Sequence, residues 1–182
     1  MTAGREYGMA ALLALAAACA PAGQGPRMGT PPDLQEPEHI NTPAVQSLDG
    51  FSQAVRAGTS LYVSDQVALD STGKLVGGAD LGLQLQQALR NLSAVLLAAR
   101  ALPGDVVQMT VYVVDYRPAD YAVIRDALTA YTPEGHPPAL TLVGVASLPV
   151  QGLRIAIDAT AHVRGQFIDR DRLPGAPLGR GR

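Results

Sequence analysis

Across residues 80–102, apolar side chains recur every three or four positions: Leu81, Leu85, Ala88, Leu89, Leu92, Val95, Leu96 and Ala99. Gln84, Gln87, Arg90, Asn91 and Arg100 fill the other face. That period is the stripe of a long amphipathic helix, and a stripe of this length must be laid on a surface. The neighbouring sequence supplies one. Ser60–Val67 is rich in β-branched and aromatic residues and reads as a strand, closed by a turn at Asp70-Ser-Thr-Gly73. Pro103-Gly104 stops the helix, and residues 105–115 form a second strand, apolar enough to be buried on most of both faces. Pro118 suits the first turn of a second helix, whose buried stripe is Ile124, Ala127, Leu128 and Tyr131. Residues 139–148 and 153–163 read as two more strands, the last alternating Ile155, Ile157, Ala159 and Ala161 with Arg154, Ala156, Asp158, Thr160 and His162. The order β(β)αβαββ is an α+β class domain with two helices on one face of one sheet. The other face is expected to be apolar and in need of a partner, which predicts an oligomer.

Composition confines this domain to residues 41–164. The 19 glycines and 14 prolines of the 182-residue chain concentrate toward its ends. Residues 20–40 read as an extended, disordered tether and residues 165–182 as a mobile tail. Ahead of the tether, Arg5 precedes an apolar run from Met9 to Ala18, far short of the roughly 20 residues that span a bilayer. Small residues directly before the single cysteine, Cys19, resemble a bacterial lipoprotein signal covering residues 1–19. The resemblance implies lipidation at Cys19 and a lipid-anchored place in the cell envelope; an Ala-rich helix in a cytoplasmic protein is the alternative. A net charge of −2, with charged residues at 16%, gives no basis for gripping nucleic acid. No metal-ligand spacing, phosphate loop or nucleophile elbow is present, so no cofactor is expected. His39 falls in the tether and His162 near a strand end, whereas His136 stands in a Gly-His-Pro-Pro loop, either exposed or at a cleft mouth.

Within the domain, Phe51-Ser-Gln-Ala-Val55, Leu61-Tyr-Val-Ser64 with Gln66, Ala88-Leu-Arg-Asn-Leu92, Pro103-Gly-Asp-Val-Val107, Thr110-Val-Tyr-Val113 and Pro138-Ala139 stand in an order and spacing that resemble the reactive intermediate deaminase (Rid) family. The resemblance implies a chorismate-mutase-like fold and a homotrimer whose sheets pack into a central barrel with three ligand clefts between subunits. In the best-known subfamily, it implies hydrolysis of 2-imino or enamine acids to 2-oxo acids and ammonia.

That chemistry needs a carboxylate receptor, best met by an arginine fork, and groups that orient a water against the imine carbon. The family's arginine follows the Pro-Ala pair; here Leu140 stands there. The acidic residue of the last strand corresponds to Ala156. Phe51 takes the place of the usual tyrosine, Ser64 matches the family's serine, and the following glycine is Asp65. Arg125 stands where an asparagine is common on the second helix, and Leu142 replaces a small residue or cysteine. Thr141 can donate a hydrogen bond beside Leu140. Ligand-binding candidates are therefore Phe51, Ser64, Asp65, Arg125, Leu140, Thr141, Leu142 and Ala156, with Asp65 the one candidate catalytic acid. A cleft so altered suits a small neutral or cationic metabolite better than an amino-acid-derived anion. Two readings of different class stand level: an imine or enamine hydrolase with an altered substrate, and a non-enzymatic trimer that binds a metabolite or protein in the envelope. A ribonuclease, an activity attached to some relatives, is disfavoured by the absence of a basic or histidine cluster.

Overall fold

The structure, a computed structural model, describes residues 36–132 and 136–163. Cys19 with its signal, the tether up to residue 35 and the tail beyond residue 163 lie outside the described residues. The strands are β1 (Glu38–Ile40), β2 (Ala54–Ala57), β3 (Ser60–Val67), β4 (Val106–Val114), β5 (Ala139–Val145) and β6 (Ile155–His162), and the helices are α1 (Leu81–Ala98) and α2 (Tyr121–Tyr131). They build one six-stranded sheet in the order β1-β2-β3-β6-β4-β5. β4 and β5 run parallel, and every other pairing is antiparallel. This is the expected α+β, chorismate-mutase-like fold, with both helices on one face.

The core forms where the two periodicities meet. Leu61 and Val63 of β3, Ile155, Ile157, Ala159 and Ala161 of β6, and Met109, Val111 and Val113 of β4 point to one side, against the α1 stripe. Ile124 and Leu128 of α2 close the same layer. Each fully buried leucine or isoleucine here contributes about 1.5–3 kcal/mol of transfer free energy. Asp80 begins α1 as predicted, accepting the Leu83 amide at 2.9 Å. Helix α1 ends earlier than Pro103. Arg100 adopts a left-handed φ of 56°, and the Ala101 amide turns back to the Leu96 carbonyl at 2.8 Å, so the chain has left the helix before the proline is reached.

Several expectations are corrected. Residues 38–40 belong to the sheet: Ile40 is buried, and β1 pairs with β2 from Glu38↔Arg56 to Ile40↔Ala54. Gln84 and Asn91, assigned to the outer face of α1, are buried because each ties distant backbone together. The Gln84 side chain donates to the Gly152 carbonyl at 2.8 Å and accepts the Arg154 amide at 2.8 Å. The Asn91 amide donates to the Val67 and Leu69 carbonyls, both at 2.8 Å. β4 is buried on one face only, with Val107 exposed on the other. The uncovered face of the sheet is not apolar either. Register places Tyr62, Thr160 and Gln108 in one row across it, then Asp158, Thr110 and Thr141, then Ala156, Tyr112 and Val143.

Candidate functional site

The antiparallel ladder between β3 and β6 slips once. Val63 faces Ala159 and Gln66 faces Ile157, so Ser64 and Asp65 together oppose the single residue Asp158. Such a bulge bends the strand and re-aims its extra side chain. Ser64 is fixed in it twice, its amide and hydroxyl both donating to the Gln53 carbonyl, at 3.0 and 3.1 Å. Gln53 in turn is buried and holds the preceding loop: it accepts the Thr42 amide at 2.7 Å and donates to the Val45 carbonyl at 2.7 Å and the Ser47 hydroxyl at 2.9 Å. Between this loop and the bulge lies a cavity of about 600 Å³, walled by Phe51, Ser64, Asp65, Gln66 and Asn91 among others. Phe51 sits at the edge with 74% of its surface exposed. His39, assigned to the tether, also lines this cavity and hydrogen-bonds Ser52 Oγ through Nδ1 at 2.9 Å.

Asp65 is electrostatically uncomfortable. The residue is exposed as a whole, but partial burial of its carboxyl, and after it the neighbouring Asp158 carboxylate, hold that carboxyl above the ordinary carboxylate value. Asp158 is better served: it accepts the Tyr112 hydroxyl at 3.0 Å and the Thr110 amide at 3.2 Å. Donating to that carboxylate raises the Tyr112 phenol, with burial and the charges of Asp158 and Asp65 adding to the effect. Asp158 and Tyr112 do not line this cavity and bear on the site only through Asp65, a link that sequence reasoning missed. The available signal was the single carboxylate among the open-face positions of β6.

Leu140 and Leu142 lie elsewhere. They line a small hollow of about 120 Å³ between β5 and α2, together with Met109, Ile124 and Leu128. Arg125 stands at its rim, but its guanidinium is turned to Asp126, donating from Nε and Nη2 at 2.9 and 2.7 Å. Such an exposed pair is worth little and does not fix the guanidinium firmly. Thr141 points to the opposite, open face of the sheet, and His136 is exposed and lines neither hollow. Ala156 is fully buried between its strand partners Val67 and Tyr112 and lines neither hollow. The candidate residues thus divide: Phe51, Ser64 and Asp65 line the cavity, Arg125, Leu140 and Leu142 line the hollow, and Thr141 and Ala156 line neither. β3 and β5 are three strand steps apart, roughly 14 Å at the usual strand spacing.

A six-stranded sheet with this strand order, two helices on one face and a cavity at a β3 bulge defines the class: a Rid-type α+β domain. Comparison with known proteins makes it specific. The family model described as endoribonuclease L-PSP matches residues 41–163. The 2-iminobutanoate/2-iminopropanoate deaminase of Mus musculus is 38% identical over 128 residues, covering 70% of this chain and 90% of that one. A RutC family protein of Pyrococcus horikoshii is 36% identical over 120 residues, covering 65% and 91%. Among solved structures, RidA from an Antarctic Psychrobacter superposes with a TM-score of 0.63 at 30% identity, covering 69% of this chain and 99% of that one. The chain belongs to the Rid family.

Proposed function

We propose that this protein is an imine or enamine hydrolase of the Rid family whose substrate is not a 2-imino acid, acting at clefts between subunits of a homotrimer. The observation that carries the reading is Leu140. Relatives named as 2-iminobutanoate/2-iminopropanoate deaminases handle substrates with a carboxylate, and the position after Pro138-Ala139 that the resemblance gives to an arginine presents an isobutyl group in an apolar hollow. Among the described residues that line the hollow the one cation is Arg125, and in the single chain its guanidinium is turned to Asp126 in an exposed pair rather than into the hollow. The split of the candidate residues supports the assembly, because a second copy is what can bring a β3 bulge against a β5 edge. A nuclease reading finds no support in the larger cavity, whose lining residues include no lysine or arginine.

Asp65 is the acid–base candidate. The Asp65 carboxylate can take one proton from water as the water oxygen bonds to the carbon of a protonated imine and the C=N pair passes to nitrogen; it then returns that proton to the nitrogen, and as the C–N bond breaks it receives the remaining hydroxyl proton. The products are a carbonyl compound and ammonia. In an assay with 2-iminopropionate, loss of a bidentate carboxylate contact, roughly 2–5 kcal/mol in a desolvated site, puts the rate about 30- to several-thousand-fold below that of an arginine-bearing relative. Leu140→Arg, with Asp65 kept, should regain part of it. Ala156→Glu is no part of that test, since the Ala156 methyl is enclosed. Wild-type turnover of 2-iminopropionate near the relative's rate would overturn the reading.

A further inference from the structure

Two side-chain hydroxyls and one imidazole line the larger cavity, those of Ser52, Ser64 and His39. The two serines differ in what they have left to give. Ser64 spends its O–H on the Gln53 carbonyl at 3.1 Å, inside the bulge. Ser52 Oγ meets His39 Nδ1 at 2.9 Å, and among the described residues neither group has another hydrogen-bond partner. In the tautomer that carries the ring proton on Nε2, Nδ1 accepts the Ser52 proton. That is the relation of a nucleophile to its base, at a separation such pairs use. The backbone sets both partners in place. His39 is the middle residue of β1 and pairs with Val55, so its ring points away from the helix layer that Ile40 enters. Ser52 stands just ahead of β2, and the two segments are joined beside it: the Gln53 amide donates to Asn41 Oδ1 at 2.9 Å, and the Thr42 amide to Gln53 Oε1 at 2.7 Å. The ring therefore needs no third side chain to face the hydroxyl.

We infer that Ser52 and His39 form a nucleophile–base pair, and that the protein hydrolyses uncharged esters with a short apolar acyl group. This activity goes beyond imine hydrolysis and draws on different side chains. His39 Nδ1 takes the Ser52 proton as Oγ bonds to the ester carbon and the C=O pair moves to oxygen. That pair returns, the C–O bond to the alcohol breaks, and His39 gives the alcohol its proton, which leaves an acylated Ser52. Water then repeats the two steps: it loses a proton to His39 as it attacks, and Ser52 regains that proton as the acid departs. The cavity sets the substrate class. Val45, Leu48, Val55 and Pro149 offer an apolar wall to the acyl chain. Among the described residues that line it there is no lysine or arginine to receive a carboxylate or phosphate, and the Asp65 carboxylate repels either.

Two measurements on the full chain test this. With p-nitrophenyl butyrate, the wild type should release p-nitrophenol well above the buffer rate, and Ser52→Ala should lower kcat about 100-fold or more while KM moves little. His39→Asn separates catalysis from support. An asparagine oxygen replaces Nδ1 as the acceptor of the Ser52 hydroxyl but takes no proton, so a merely structural role survives the change and the activity does not. The second measurement needs no variant. A fluorophosphonate, which bonds to activated serines, should add once to the wild-type chain, and peptide mass spectrometry should place the adduct on Ser52. Ester hydrolysis at the buffer rate, a wild-type rate in His39→Asn, or a chain left unlabelled or labelled at another residue would overturn the inference. Imine turnover is read in a separate assay, so failure of the imine reading leaves each of these outcomes where it was.

Discussion

The cavity at the β3 bulge and the hollow under β5 share one sheet and are built from different materials. The first is framed by buried amides: Gln53 and Asn91 reach across 8 to 24 residues of sequence to hold carbonyls, and what faces the space is what those bonds leave over. The second is framed by Met109, Ile124, Leu128, Leu140 and Leu142, with an edge strand as its outer wall. Amides impose direction, because a hydrogen bond weakens steeply when misaligned, and so they fix a shape and a polarity. Aliphatic groups impose only contact. The first region is therefore equipped to choose a ligand by its charge, and the second to be covered by anything apolar of suitable form, including another copy of this chain.

The sharpest way to break that contrast is to replace an amide by a hydrocarbon of similar size. Gln53→Leu removes the partners of Thr42, Val45 and Ser47 at once and should cost roughly 2–4 kcal/mol in urea unfolding. A cost under about 0.5 kcal/mol, the range of ordinary surface changes, would mean that the loop is held by something else. Leu140→Asp comes next. In the single chain Leu140 is 47% exposed, so the fold should lose only about 1 kcal/mol or less, while the mass in sedimentation should drop from that of the proposed trimer toward the monomer. An unchanged mass would place the hollow away from any subunit boundary. The smallest effect is expected at Asp65. Its folded-state carboxyl lies above its unfolded value, so the folded chain keeps the proton longer. Stability is then unpenalised in acid, and a penalty grows as pH rises through the ordinary carboxylate value to the raised one and persists above it. Asp65→Asn should raise the melting temperature at pH 7 and leave it nearly unchanged at pH 3. A lower melting temperature at pH 7 would show that the carboxylate is stabilised by its surroundings.

How far the sequence speaks depends on whether a residue's environment is local. The α1 stripe, the Asp80 cap, the Asp70–Gly73 turn and the alternation of β6 are written in spacings of two to four residues, and they are legible. The Asp70 carboxylate accepts from the Thr72 and Lys74 amides at 2.9 and 3.0 Å, as the turn requires. β1 is illegible because three residues, Glu38, His39 and Ile40, acquire their structure from pairing with β2 rather than from any pattern of their own. Gln84, Asn91 and Gln53 look like surface residues until the backbone they serve arrives from elsewhere in the chain. At the site, the resemblance picks out Phe51, Ser64, Asp65 and Leu140, but no spacing reveals that sheet order separates the last from the others. The open-face pair of Asp158 and Tyr112 is legible only once β4 and β6 are known to be neighbours.

The slip between Val63 and Gln66 bears on how such a domain can change its chemistry. Register is set independently on either side of it, by Val63 against Ala159 and by Gln66 against Ile157. The two residues between carry no obligation to the core. A side chain can therefore be exchanged at Asp65 without retuning the packing that holds the sheet together. The bulge works as an interchangeable fitting on a fixed frame, so that what the cavity accepts can be revised by a single codon while the protein's stability stays almost where it was.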